Sequence, residues 1–196
     1  MTTKTVKVKT DGITDEIGRL FDYDFDGTSM FNVPTLSAAD RNLYLDEDYA
    51  IGLIVGPSGS GKSSLLEEFG TEANLEWDQE KSVASHFNDA DDVIDRLGAV
   101  GFNSVPSWMR PYHVLSNGEQ FRASLARKLK DGAVIDEFTS VVDRNVAKSC
   151  AMALRKYVDK KGLKNLTFAS CHYDIIEWLQ PDWVYDTVTQ EVLPRG

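Results

Sequence analysis

The stretch at residues 50–55 carries no polar side chain, and an unbroken apolar run of strand length describes a strand buried on both faces, as at the centre of a parallel sheet. Elsewhere the pattern alternates or repeats. Residues 5–9 alternate as a strand does, residues 14–21 form a short helix with acidic residues in its first turn, and residues 31–36 give a second strand. A polar stretch follows at 37–48. Beyond the buried strand, a helix opens at a glycine-rich turn and runs through Leu65, Leu66 and Phe69 to stop at Gly70.

Residues 83–87 suggest a strand. Residues 90–98 suggest a helix, with Val93, Ile94 and Leu97 at helical spacing, and regularity is lost at 106–113 among proline and aromatic residues. A helix over 117–130, a turn at Asp131-Gly132, a buried strand at 133–135 and a long helix over 146–160 come next. The chain closes with a strand at 166–170, a helix at 173–179 and a strand at 183–189. This alternation predicts an α/β fold with a largely parallel central sheet flanked by helices. With no internal repeat or low-complexity linker, residues 1–196 are expected to form a single domain.

The glycine-rich turn is Gly56-Pro57-Ser58-Gly59-Ser60-Gly61-Lys62-Ser63, followed by Ser64, which fits G-x-x-x-x-G-K-[ST] between a buried strand and a helix. Glycines let the backbone curl so that successive N–H groups point inward at phosphate oxygens, and the helix start favours anions. Lys62 is expected to reach the β and γ phosphates of ATP, and the Ser63 hydroxyl to hold Mg²⁺.

The apolar strand at 133–135 ends in Asp136-Glu137, where one acid can orient the metal and the other polarise an attacking water. Asp136 takes the first role and Glu137 the second. Alone, such a pair most often begins a solvated loop. After a phosphate loop in the same chain it gains weight.

Between these motifs lies Leu115-Ser116-Asn117-Gly118-Glu119-Gln120-Phe121-Arg122, which resembles the signature of ATP-binding-cassette (ABC) ATPases. Thr139-Ser140-Val141-Val142-Asp143 resembles that family's D-loop, and Ser170-Cys171-His172 its switch histidine. Ser116 stands 20 residues before Asp136 and His172 stands 36 after it, spacings like the family's. Likeness is strongest over 51–64, 106–121, 136–143 and 171–183, and is to small stand-alone soluble ABC-type ATPases of bacteria and phages, related to the ATPase part of ABC ATPase/acetyltransferase fusions.

The resemblance implies a P-loop NTPase fold with a reduced helical subdomain at 88–130. It implies an ATP hydrolase acting as an ATP-dependent, head-to-tail homodimer in which Ser116, Asn117 and Gly118 meet the partner's nucleotide and His172 senses the γ-phosphate beside Glu137. Read without the resemblance, Ser116 is a helix N-cap with Glu119 at capping-box spacing. The family's glutamine loop has no glutamine here at 82–88, where His86 and Asn88 are possible stand-ins. An upstream aromatic residue would stack on adenine, and Phe21, Tyr23, Phe25 and Phe31 are candidates.

Composition narrows the client rather than the chemistry. A net charge of −10 disfavours a broad nucleic-acid face, although Arg155, Lys156, Lys160, Lys161 and Lys164 could form a local patch. No run reaches the roughly 18 apolar residues of a membrane span. The amino terminus lacks a secretory pattern, so a cytoplasmic location is expected. Cys150 and Cys171 suit neither a disulfide framework nor a zinc site. The expected function is a soluble ABC-type ATPase coupled to an unidentified macromolecular client. Competing readings are a P-loop small-molecule kinase, a DNA-linked ATPase of the recombination type, and a nucleotide-gated binding module.

Overall fold

The computed structural model describes residues 2–37 and 48–194. The first strand, β1 (Thr2–Lys7), pairs antiparallel with β2 (Thr28–Val33), and helix α1 (Gly12–Phe21) lies in the connection between them. The ladder of β2 stops at Val33 rather than continuing to 36, because Pro34 has no N–H to donate. Asp11 closes a capping box on α1, with its side chain accepting from Ile13 and Thr14 N–H groups, yet no residue of α1 is buried.

The main sheet has the order β4-β5-β3-β6-β7, built from β3 (Ile51–Val55), β4 (Val134–Ile135), β5 (Leu166–Ser170), β6 (Trp183–Asp186) and β7 (Glu191–Pro194). Pairings β4/β5, β5/β3 and β3/β6 are parallel, and β6/β7 is antiparallel. Every residue of β3 is buried, as the apolar run predicts.

Side chains alternate across β3. Ile51, Leu53 and Val55 face a core shared with α3 (Ala90–Ala99), α5 (Asn117–Lys128), α6 (Arg144–Lys161) and α7 (Ile175–Leu179). Ile54 faces the other core, formed with Leu65 and Leu66 of α2 (Lys62–Leu66), Trp183 and Tyr185. Helices on both faces of a mainly parallel sheet are the layer arrangement that the alternation implies. Gly52 is required by a close approach: a Cβ there would lie 2.1 Å from the Trp183 ring.

Several elements differ from expectation, each for a local reason. Residues 83–87 form a 3₁₀ turn (Ala84–His86) rather than a strand, because the Ser82 hydroxyl accepts from Ser85 N–H and the His86 ring lies against Trp77. α2 ends at Leu66, where Glu68 and Phe69 N–H groups reach back only three residues to Leu65 and Leu66 carbonyls. The irregular stretch contains a short α4 (Val105–Trp108) with Pro106 in its first turn. The terminal strand breaks after Asp186, whose carboxylate accepts from Val188 N–H at 2.8 Å and turns the chain back into β7.

Cys150 and Cys171 are both free. Burial in α6 pushes the Cys150 thiol up to about 12. Among the described residues, no helix is long and apolar enough to cross a membrane.

Candidate functional site

The site lies at the carboxyl ends of β3, β4 and β5, where ligands bind in open parallel sheets. From β3 the chain enters the loop at Gly56, with Gly59 at φ +76° and Gly61 at φ +87°, backbone angles open to glycine. A Cβ on Gly61 would also stand 2.4 Å from the Pro34 ring, which packs under the loop. Lys62 is only 7% exposed, and its Nζ donates to the Pro57 carbonyl at 2.8 Å. Burying an ammonium against one neutral acceptor leaves two of its hydrogens without that acceptor's help, a setting made for anionic oxygens.

Ser63 and Asp136 line a common cavity of about 430 Å³ together with Glu67, Thr71 and Glu72. The structure thus brings together the two residues assigned to Mg²⁺. One Asp136 oxygen accepts from Glu137 N–H at 2.8 Å, leaving the other for a ligand. Among the described residues no group of three or more His, Cys, Asp or Glu forms a metal cluster. A hydroxyl plus one carboxylate still fits Mg²⁺, which is commonly held by one or two carboxylates, substrate phosphates and waters.

Glu137 is exposed with φ +51°, and Thr139 is fully buried with φ +66°, a sparsely populated conformation for a β-branched residue. Among the described residues the Thr139 hydroxyl has no hydrogen-bond partner. Strain of this kind persists where surrounding structure enforces it. Here the Ser140 hydroxyl donates to the Glu137 carbonyl at 2.9 Å, and Phe138 N–H donates to the Ala169 carbonyl of β5 at 2.8 Å. Ser170 then links this loop to the histidine, donating to the Phe138 carbonyl at 3.0 Å and accepting from His172 N–H at 3.2 Å. Ser170 therefore ties the backbone at Phe138, next to Glu137, to the backbone at His172, just past the neighbouring strand β5. Ser170 was visible in sequence only as part of a motif.

Ser116 caps α5 in a full capping box: its hydroxyl accepts from Glu119 N–H, and its own N–H donates to the Glu119 carboxylate at 3.0 Å. The Ser107 hydroxyl, then the Ser116 N–H, hold the Glu119 carboxyl below its ordinary range. Gln120 is committed to the Tyr112 and Leu115 carbonyls. Gly118 faces Val142, so the segment Ser116, Asn117 and Gly118 abuts the loop after Glu137. Ser116 and Asn117 are exposed, and among the described residues no hydrogen bond joins them to the phosphate loop.

His86 and Asn88 do not serve the cavity. One ring nitrogen of His86 accepts from Asp78 N–H and the other lies 2.9 Å from the Ser82 carbonyl, while the Asn88 amide donates to Asp92 at 3.1 Å. Glu72 lines the cavity instead and pairs with Lys128 of α5 at 2.8 Å. Sequence spacing offered no signal for it.

Tyr23 and Phe25 stack on each other and line another cavity, of about 370 Å³, with Asp15, Asp22 and Asp24, in which no phosphate-loop residue takes part. The basic run is largely neutralised: Arg155 pairs with Asp159, Lys160 and Lys161 with Asp95, and Lys164 with Asp48. Trp108 and Trp183 are core residues, whereas Met109 is exposed.

No protein-family model matches the sequence, and no curated protein is significantly similar to it. Solved structures are similar. The dimeric structure of MJ0796, a bacterial ABC transporter cassette, superposes with a TM-score of 0.52 at 15% identity over 69% of this chain and 80% of its own. The same cassette in a dimeric post-hydrolysis state bound to ADP and Pi gives 0.53 at 15% identity over the same shares. CbiO1 of Clostridium perfringens, part of the ABC transporter complex CbiONQ, gives 0.50 at 17% identity over 74% of this chain and 76% of its own. The fold of this chain is that of the ABC cassettes, an α/β fold with a mostly parallel sheet.

Proposed function

We propose that this protein binds Mg-ATP on its phosphate loop and hydrolyses it within a head-to-tail pair of chains, driving an unidentified macromolecular client. The observation that carries this reading is the cavity shared by Ser63 and Asp136, with the buried Lys62 next to Ser63 in the chain. Loop N–H groups from Gly59 to Ser63 and the Lys62 ammonium hold the β and γ phosphates, with Gly56, Pro57, Ser58 and Ser64 shaping the curl. Ser63 and Asp136 hold the ion, which when bound offsets charge building on the γ-phosphate.

Glu137 orients the attacking water and accepts its proton, and His172, its backbone N–H held by Ser170, senses the γ-phosphate. Ser116 and Asn117 present an exposed capped helix start, with Gly118 behind them, that no hydrogen bond among the described residues joins to their own chain's loop. A second chain supplies their phosphate. This favours the sandwiched dimer, a closed arrangement in which each chain completes the other's site.

The test is Glu137→Gln studied by light scattering with and without Mg-ATP, together with phosphate release by the unmodified protein. Dimers that accumulate in ATP, with turnover lost, support the proposal. A variant that stays monomeric in ATP and keeps turnover overturns it and favours phosphoryl transfer to a small acceptor.

A further inference from the structure

The beginning and the crown of the phosphate loop converge on one hydroxyl that arrives from the far end of the sequence. Thr187 follows β6 and is 5% exposed. Its N–H donates to the Val55 carbonyl at 2.9 Å, and its Oγ1 donates to the Ser60 hydroxyl at 2.7 Å, with the Val55 carbonyl 3.2 Å away. A hydroxyl has one hydrogen to give, so the shorter contact, to Ser60, takes it while the backbone N–H serves Val55.

At Gly56 a Cβ would stand 1.8 Å from the same Oγ1, so the hydroxyl fills the space where a side chain on the first loop residue would sit. Val55 and Gly56 are the entry to the curl and Ser60 is near its crown. Thr187 therefore ties the entry of the curl to its crown, as the Lys62 bond to Pro57 ties its end to its start.

The anchor is itself held. Asp186 accepts from Val188 N–H and from the Tyr173 hydroxyl, and Gln190 N–H donates to the Asp186 carbonyl, so the β6/β7 turn cannot drift without breaking several bonds. With Thr187 donating, Ser60 keeps its own hydrogen to give elsewhere.

We propose that Thr187 is the positioning residue of the phosphate loop, fixing the curvature on which its inward-facing N–H groups depend. This rests on the phosphate-loop reading above. Preorganised donors cost little to align when an anion arrives. Loss of the hydroxyl alone lets the loop take curls whose donors diverge. Binding weakens, while the groups that act on the attacking water remain in place.

The experiment compares wild type, Thr187→Val, Thr187→Ser, Ser60→Ala and the Val/Ala double variant, using Mg-ATP binding by calorimetry and amide exchange across the loop without nucleotide. Thr187→Val should weaken binding about fivefold and raise KM by a similar factor while kcat holds, as expected for one hydrogen bond. Thr187→Ser should restore binding, and the double variant should lose no more than the worse single one. Amides at 59–62 should exchange faster in Thr187→Val.

Unchanged binding and unchanged exchange in Thr187→Val, or additive losses in the double variant, overturn the positioning role while the phosphate-loop reading stands. If wild type binds no Mg-ATP, that reading fails, and loop exchange in Thr187→Val against wild type still decides whether Thr187 holds the curl. Should Thr187→Val fold poorly, Ser60→Ala removes the same bond from a half-buried partner and decides the matter.

Discussion

β1 and β3 are strands of similar length with opposite circumstances: all six residues of β1 are exposed and all five of β3 are buried. β1 is held by its ladder to β2, with Thr2 opposite Val33 and Lys7 opposite Thr28. β3 has neighbours on both edges and a core on each face. The two also end differently, since β3 delivers the phosphate loop and β1 delivers α1. Ile13, Ile17, Leu20 and Phe21 lie on one face of α1, and all are exposed. Apart from the buried Val33, residues 2–33 are thus held mainly by the β1/β2 ladder and the α1 cap, whereas the elements around the site share two buried cores.

The sharpest way to break that contrast is by truncating one apolar residue on each side of it. Leu53→Ala, in β3, should destabilise the protein by about 2–5 kcal/mol in urea unfolding. Ile17→Ala, in α1, should change stability by no more than about 0.5 kcal/mol. Equal losses would mean that α1 is part of the core.

A matched pair of helix caps gives a smaller effect. Asp143 caps α6 by accepting from Asn145 and Val146 N–H groups, as Asp11 does for α1 with Ile13 and Thr14. Asp143→Ala should cost about 1 kcal/mol of global stability. Asp11→Ala should fray α1, visible in its amide exchange, with the unfolding midpoint unmoved.

The smallest effect is in the acid limb. Glu119 and Asp11 both have carboxyls held below their ordinary values, Glu119 chiefly by the Ser107 hydroxyl and Asp11 chiefly by the Thr14 N–H. Stability from such a group is complete above its unfolded pKa and fades as pH falls through the depressed folded one. Below 4.5, the reference value for Glu119, wild type should lose stability more steeply than Glu119→Gln in urea unfolding. Asp11→Asn should leave that slope alone.

These contrasts also mark what the sequence could say. β3, β5 and the helix at α3 were legible because burial on both faces or on one helical stripe writes itself into composition. The loop residues Gly56, Gly59, Gly61 and Lys62, and the pair Asp136 and Glu137, stood out as candidates because the chemistry proposed for them needs particular side chains at fixed spacing. The β6/β7 hairpin was missed because its turn uses the Asp186 carboxylate and a left-handed Gln190 rather than an Asn-Gly pair. Glu72 and Thr187 were illegible, and the tying role of Ser170 was not seen within its motif, for another reason. Each acts across a long sequence separation, on Lys128, Ser60 and Phe138, through ordinary residue types.

The unlike burial of the two cysteines has a practical consequence. Cys150 is sealed in the core with its thiol pushed up to about 12, so it stays protonated and slow to alkylate. Cys171 is partly exposed and adjoins His172. A thiol reagent should therefore label the chain at one place, next to the residue expected to report on the γ-phosphate. The sequence carries its own attachment point for a probe of the proposed nucleotide cycle.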